Sequence, residues 1–284
     1  MRSRVVPYLL ALPAWLWLAA FFVAPLCGML SVSLMTGDLV HGFRQTFHFA
    51  TYAEAVRRYP EQLLRSLCYG GAATALCLAL GYPVAYWIAR RGGRARGGYL
   101  LLLVLPFFVP FVLRTVAWQF LLADDGLVLG ALKDAGLLPA GAGVLNSAPA
   151  VVLGLACSHL PFMVLPIYAV LERLDRGLVE AARDLYAGPA AAFLRIVLPY
   201  SLPGVSAGVL MTFVPASSDY VTAALLGGTR TTMIGNVIQT QYLVNNAYPT
   251  AAALTFILMA LLLLGVLGYA LTAGIGRVTG ERVR

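Results

Sequence analysis

Charged side chains divide this chain into long neutral intervals: residues 5–37, 66–89, 97–123 broken only by Arg114, 135–171, 196–229 broken only by Asp219, and 231–276. Each interval can hold the ~20 apolar residues with which an α-helix crosses a bilayer. The pattern predicts six spans, near 8–34, 66–89, 99–122, 149–171, 202–226 and 250–272. The expected fold is therefore an all-α membrane protein, a polytopic bundle of six transmembrane helices forming a single integral-membrane domain over 1–284. Pro13, Pro25, Pro106, Pro110, Pro161, Pro166, Pro203 and Pro215 fall inside these spans. Each removes a backbone donor and tends to kink its helix, which membrane helices tolerate. Gly204 and Gly208 form a small-xxx-small step suited to close helix packing. No internal repeat is evident, which argues against a secondary transporter built on symmetric halves.

Composition removes the soluble alternatives. Of the 284 residues 60% are hydrophobic and 11% charged, against about 25% charged in soluble domains, and the mean hydropathy is +0.82. Disorder and fibrous classes fall by the same arithmetic. Cys27, Cys68, Cys77 and Cys157 lie in apolar stretches without metal-ligand spacing, so neither a disulfide framework nor a metal site is expected. The net charge of +8 could suggest nucleic acid, but its placement argues otherwise. Arg2 and Arg4, then Arg90, Arg91, Arg94 and Arg96, then Arg173, Arg176, Arg183 and Arg195, then Arg277, Arg282 and Arg284 occupy alternate connections. That asymmetry is what the positive-inside rule describes, and with six spans it places both termini in the cytoplasm. The first span is longer than the ~7–15 residues of a signal-peptide core and lacks a convincing small-x-small cleavage site, so it is expected to be retained.

Two outer segments carry local signals. Thr51-Tyr52-Ala53-Glu54 has the capping-box pattern and predicts a surface helix that runs to Tyr59 and stops at Pro60. Met233, Ile234, Val237, Ile238 and Leu243 fall at roughly helical spacing within 232–244 and predict a short outer helix. That helix either packs on the bundle or docks an external partner. On the arginine-rich side, 172–200 is charged, helix-prone and broken at Gly188-Pro189. Asp175 can cap a helix over roughly 176–186, and Pro189 suits the first position of a second. Val179, Ala182 and Tyr186 would line one face of the first helix, while Phe193 and Ile196 would anchor the second. The result is a helix–turn–helix elbow between spans four and five.

Glu180-Ala181-Ala182, followed at matching distance by Ile196-x-Leu198-Pro199, resembles the EAA loop of inner-membrane permeases of binding-protein-dependent ABC importers. The resemblance implies that this elbow is a coupling helix seated on a cytoplasmic ATPase, with Glu180, Ala181, Ala182, Tyr186, Gly188, Ile196, Leu198 and Pro199 as its ATPase-coupling residues. The motif expects glycine where Tyr186 stands. Tyrosine adopts such a turn reluctantly, which moves the expected turn to Gly188-Pro189. Further stretches, Leu80-Gly81-Tyr82-Pro83 with Ala85-Tyr86, Arg114-Thr115-x-Ala117-Trp118, Asp219-Tyr220-Val221-Thr222, Leu226-Gly227-Gly228 and Met233-Ile234-Gly235-Asn236, are similar to the spermidine/putrescine permease subfamily. That subfamily usually shows Gly-Asp-Tyr-Val-Thr-Pro, where this chain has Ser218 and Ala223 at the flanking positions. What the resemblance implies is a multi-pass subunit of the bacterial inner membrane that imports a small cationic solute, polyamine first among them. Its partners would be a second permease subunit, an ATPase dimer that binds ATP and magnesium, and a periplasmic solute-binding protein. Related permeases for opines or phosphonates share much of the pattern, and a stand-alone ion-coupled carrier is the rival class.

The residues support a translocation role without catalysis. A phosphate-cradling Gly-x4-Gly-Lys-Ser/Thr loop is missing from the sequence, since its one lysine, Lys133, is followed by Asp134. This chain is therefore expected to bind no cofactor itself. His159, Ser158, Ser217, Ser218 and Asp219 could in principle supply hydrolytic chemistry, but no nucleophile-elbow context surrounds the serines, and His159 reads as a neutral, hydrogen-bonded histidine. Arg114 and Asp219 are intramembrane charges and hence functional candidates. Counted along their helices they lie roughly 15 Å and about 12 Å below the outer face. With Trp118 and Tyr220 nearby, Asp219 suits an alkyl-ammonium solute through charge and cation–π attraction. The alternative is a structural Arg114–Asp219 ion pair.

Overall fold

The computed structural model describes residues 6–38, 40–136, 139 and 143–280. The chain divides into two compact units, Met1–Pro60 with Val237–Leu261, and Glu61–Asn236 with Leu262–Arg284. Among the described residues five helical stretches are long and apolar enough to cross a membrane: Ala11–Ser33, Pro60–Arg91, Ala148–Glu172, Pro189–Ser218 and Tyr248–Leu271. A bent pair, Gly93–Phe108 with Phe111–Leu122, makes a sixth when counted as one span.

The chain begins with α1 (Val6–Leu18) and α2 (Ala24–Ser33), joined through a π-helical turn at Ala19–Val23. Pro25 lacks the N–H that would bond the carbonyl of Phe21, and the ladder widens to an i→i−5 bond from Ala24 to Ala19. Trp15, Leu16, Trp17, Phe21 and Phe22 are all exposed, as suits a helix whose surroundings are lipid. A short antiparallel hairpin follows, β1 (Met35–Asp38) with β2 (Gly42–Gln45), in register from Met35↔Gln45 to Asp38↔Gly42. The sequence pattern did not announce this hairpin. Gly37 and Gly42 hold left-handed φ values of +130° and +79°, which glycine adopts without a Cβ penalty, and Asp38 Oδ1 accepts from the backbone N–H groups of Val40 and His41.

Helix α3 (Ala50–Arg58) begins one residue before Thr51, with Phe49 at its cap and no side-chain capping bond. The expected capping box does not form. A 2.7 Å hydrogen bond between Ser33 Oγ and the Tyr52 hydroxyl fixes this end of α3 to the end of α2, so tertiary contact sets the boundary. After a single residue, Tyr59, helix α4 (Pro60–Arg91) starts on Pro60 itself, where a missing N–H costs nothing.

A 3₁₀ turn (Gly93–Ala95) leads to α5 (Arg96–Val104), a second 3₁₀ turn (Leu105–Phe108), and α6 (Phe111–Leu122). The stretch expected as one span over 99–122 is instead bent by 94°. Val109 and Pro110 take extended conformations there, consistent with Pro110 biasing its predecessor away from the helical region. Helices α7 (Leu127–Asp134) and α8 (Ala148–Glu172) follow, the latter capped by Ser147. Helix α8 is the buried centre of the second unit, with Val151, Leu155, Met163, Val164 and Ile167 fully inaccessible.

The elbow consists of α9 (Arg176–Asp184) and α10 (Pro189–Ala192). Asp175 Oδ1 accepts from Gly177 N–H at 2.9 Å at the start of α9. At its end Ala187 N–H bonds the carbonyl of Ala182, and Tyr186 has a left-handed φ of +59°. This is a helix-terminating motif that usually takes glycine at the left-handed position. The expected shift of the turn to Gly188-Pro189 does not occur. Gly188 is extended and merely precedes α10, and tyrosine occupies the strained position at 99% exposure rather than lining the inner face of α9.

Past the elbow a second π-helical turn (Phe193–Val197) precedes α11 (Leu198–Ser218), again where a proline, Pro199, has no N–H for the carbonyl four residues earlier. Helix α11 ends at Ser218 and α12 (Tyr220–Leu226) starts anew, so the expected span at 202–226 is two helices meeting at Asp219. The chain closes with a 3₁₀ turn (Thr229–Thr231), α13 (Ile234–Leu243) and α14 (Tyr248–Gly280). Met233 and Ile234 are fully buried and Val237 nearly so, so this part of the face packs, while Ile238 is half-buried and Leu243 is exposed.

Helices α8 and α11 meet backbone to backbone. A Cβ on Gly204 would lie 2.7 Å from the Pro166 carbonyl oxygen, and one on Gly208 would lie 2.8 Å from Met163 Sδ and 3.1 Å from the Met163 carbonyl oxygen. By contrast nothing approaches Gly71 within 4 Å. Gly204→Ala is expected to destabilise the purified subunit by about 1–3 kcal/mol through overpacking, while Gly71→Ala leaves it unchanged or raises it by about 0.5–1 kcal/mol through helix propensity. Thermal unfolding of the two variants in one detergent checks the contrast. At the elbow, Tyr186→Gly relieves a left-handed non-glycine residue that costs about 1–2 kcal/mol and should raise the melting temperature, whereas the β-branched Tyr186→Val should lower it.

Candidate functional site

Helices α6, α8 and α12 bring three of the chain's intramembrane polar groups into one neighbourhood. Asp219 sits at the break between α11 and α12, where Pro215 in the preceding turn has already removed one helix donor. Its φ/ψ of −73°/101° leave the helical region. Its Oδ1 accepts from the N–H groups of Val221 and Thr222 at 3.0 Å each, and Oδ2 accepts from Thr222 Oγ1 at 2.6 Å. The carboxylate thus satisfies the orphan donors of α12 and sits at the positive end of its dipole. It is only partly buried and retains acceptor capacity.

Arg114 does not pair with Asp219. Its Nη1 donates to the Pro106 carbonyl at 3.3 Å, and its guanidinium lies over the rings of Phe107 at 4.5 Å and Phe111 at 5.6 Å. The partners stand on both sides of the 94° bend, so Arg114 braces that bend with a hydrogen bond and two cation–π contacts. Its Nε is buried without a partner. The expected ion pair is replaced by local bracing because the helix break exposes carbonyls and ring faces closer than the carboxylate. Phe111 three residues before Arg114 is the sequence signal for this; Phe107 needed the bend to arrive.

His159 on α8 is buried and its Nδ1 donates to the Leu155 carbonyl at 2.8 Å, leaving Nε2 as the acceptor. The helices that carry or follow Arg114 and Asp219, α6 and α12, both pack on α8. Trp118 packs against the cluster of Leu122, Leu129, Ala150 and Leu226 and is a wall residue. Tyr220 is 41% exposed, and its carbonyl accepts from Asn236 Nδ2 at 2.7 Å. Asn236 also accepts from Met233 N–H through Oδ1, so one amide ties the start of α12 to the start of α13.

The elbow divides into an inward and an outward set. Val179, Phe193 and Ile196 pack on the core around α8, Leu174 and Val197. Phe193 meets Tyr82 and Tyr86 of α4 edge-on at 5.8 and 5.7 Å, and the Tyr82 hydroxyl shares a 2.9 Å hydrogen bond with Ser201 Oγ. Arg96 at the start of α5 pairs with Glu172 at the end of α8 at 2.6 Å. Glu180, Ala181, Tyr186 and Gly188 face outward, and Ala182 is half-buried. Leu198, half-buried, and Pro199, exposed, form the first turn of α11 at the elbow's exit.

Residues 81–277 match the family described as binding-protein-dependent transport system inner membrane component. Among curated proteins, the chain is 36% identical over 251 residues to the spermidine/putrescine transport system permease protein PotB of Haemophilus influenzae, covering 87% of this chain and 88% of that one. It is 34% identical over 252 residues to PotB of Escherichia coli, covering 87% and 92%. It is 33% identical to the inner membrane ABC transporter permease protein YdcU of Escherichia coli, covering 71% and 68%. In fold it is similar to a chain of a bacterial ABC transporter that imports the acidic polysaccharide alginate, with a TM-score of 0.72 at 19% identity and 94% of each chain covered. A family match over more than half the chain and relatives above 30% identity over most of it agree, and this chain belongs to the binding-protein-dependent inner membrane permeases, the membrane-spanning subunits of ABC importers.

Proposed function

We propose that this permease carries polyamines of the spermidine/putrescine class inward across a bacterial inner membrane. The observation that supports this reading most is the 34–36% identity over 87% of the chain to permeases named for those solutes. The site chemistry agrees with it. Asp219 offers a fixed, partly exposed carboxylate at a helix break, and His159 on α8, with Nδ1 committed to the Leu155 carbonyl, has Nε2 left for a solute. An alkyl-ammonium solute would find charge at one and a lone pair at the other, with Tyr220 as an exposed ring beside them. Arg114 and Trp118 shape the wall.

In this reading the arginine-rich connections and both termini lie in the cytoplasm. The outward set of the elbow, Glu180, Ala181, Tyr186 and Gly188 with the half-buried Ala182, docks on a cytoplasmic ATPase dimer that binds ATP and magnesium. Ile196 holds the elbow to the bundle, and Leu198 and Pro199 begin the helix that leads away from it. A second permease subunit completes the pathway, and a periplasmic solute-binding protein delivers the solute.

Uptake of labelled spermidine by cells carrying the whole importer tests the pathway. Asn caps helices nearly as well as Asp, so Asp219→Asn should assemble at the normal level yet lose most uptake. Asp219→Ala should lose uptake and also about 1 kcal/mol of subunit stability, as the cap is gone. Arg114→Gln should lower assembly by loosening the bend, with no rescue from Asp219→Asn. Normal uptake by Asp219→Asn would refute the pathway role. For coupling, bulky replacements at Ala181 or Ala182, or Glu180→Arg, should cut uptake and co-purification of the ATPase while the subunit still inserts; undiminished ATPase association in all three would sink the docking role.

A further inference from the structure

Helix α4 ends in Arg90 and Arg91, and its last turns face the first turn of α9 across a cleft of ≈ 490 Å³ lined by Tyr86, Trp87, Arg90, Arg91, Val179 and Glu180. Two features of this cleft are unresolved by the protein's own contacts. Arg90 Nη2 is buried without a hydrogen-bond partner, a costly state for a charged donor. Glu180 is the acid among the lining residues, yet among the described residues neither arginine forms an ion pair with it. Two guanidinium groups against one carboxylate leave an excess positive charge in a partly enclosed space. Trp87 stacks edge-on against Tyr99 at 4.9 Å, a pairing of the amphipathic rings that favour the membrane–water boundary.

We propose that this cleft is a binding site for a phosphate oxyanion, supplied by the headgroup of an anionic phospholipid. A planar guanidinium with unfilled donors matches phosphate oxygens in bidentate geometry. Basic pockets between spans at the arginine-rich face are suited to such headgroups. The aromatic wall of Tyr86 and Trp87 gives the glycerol and the first acyl carbons an apolar surface, which free phosphate would not use. Bound there, the phosphate is held by the guanidinium groups at the end of α4, in the space between that helix and α9. The site lies apart from Asp219 and does not depend on which solute is carried, although it shares Glu180 with the surface proposed to dock the ATPase.

The test uses the purified full-length chain in detergent, titrated with phosphatidylglycerol or phosphatidylcholine and read by native mass spectrometry. This assay is independent of membrane orientation and of transport, so its outcome is separable from the fate of the proposed function. Phosphatidylglycerol should bind in preference to phosphatidylcholine. Arg90→Gln should weaken it about tenfold, the scale of one charge-assisted hydrogen bond, and Arg90→Lys, which keeps the charge without the fork, should fall between. Arg94→Gln, an exposed arginine outside the cleft, should bind as the unaltered protein does. Excess inorganic phosphate that displaces the lipid identifies the oxyanion alone as sufficient; failure to displace it shows that the glycerol and chains contribute. Unchanged binding by folded Arg90→Gln, an equal loss in Arg94→Gln, or equal binding of both lipids overturns the proposal.

Discussion

The approach of α11 to the backbone of α8 is the contact on which the second unit depends. Between helices in lipid there is little hydrophobic gain to be had, because the tails are as apolar as leucine, so association rests on van der Waals contact and hydrogen bonds. Gly204 and Gly208 let α11 touch the carbonyls of Pro166 and Met163 directly. The same device recurs at Gly70, whose Cβ would lie 3.0 Å from the backbone of Ser217, while Gly81 makes room for the side chain of Val164, 3.1 Å from where its Cβ would lie. Three helices are therefore drawn together where side chains are missing, and α8, between two neighbours, becomes the most buried element.

The packed helices are not uninterrupted: α8 and α11 each carry two interior prolines, and the chain breaks its ladder at several further places where the freed groups find other partners. Ahead of Pro25 and Pro199 the turn widens so that a more distant N–H serves. At Pro110 the chain turns sharply, and Arg114 reaches back to the Pro106 carbonyl. At Asp219 the carboxylate takes up two N–H groups of the new helix. In a medium without water, an uncompensated break costs several kcal/mol per group. The intramembrane charges thus answer a backbone need first, and whatever acts on a solute there is built on groups already held in place. A carboxylate fixed by three hydrogen bonds loses little freedom when a cation arrives, which lowers the cost of binding it.

The spans were legible because hydropathy over some twenty residues reports on the solvent, and nothing local overrides it. The elbow was legible too, through Asp175 and Pro189 at its two starts. What escaped the sequence was decided by geometry across breaks. Thr51-x-x-Glu54 reads as a cap, but the Ser33–Tyr52 hydrogen bond carries the helix start past it. Tyr186 reads as a poor candidate for a left-handed residue, and intrinsic preference pointed to Gly188; the bond from Ala187 to the Ala182 carbonyl fixes the turn two residues earlier. Arg114 and Asp219 match in depth when each helix is counted as straight. Neither helix is straight, and the bend gives the arginine nearer partners than the carboxylate.

Those same contacts constrain how motion at the elbow could reach the interior. Phe193 wedges edge-on against Tyr82 and Tyr86, Ser201 one turn into α11 bonds the Tyr82 hydroxyl, and Val179 rests on the core. Beside them Arg96 ties the start of α5 to the end of α8. An elbow held by stacked rings on α4 and continuous with α11 through a π turn cannot tilt without carrying the first turns of α11 along. That helix packs on α8 through glycines that leave no slack, and its far end is the break at Asp219. If α9 moves on an ATPase as proposed, α11 is the helix it would displace, and Asp219 marks where that helix ends.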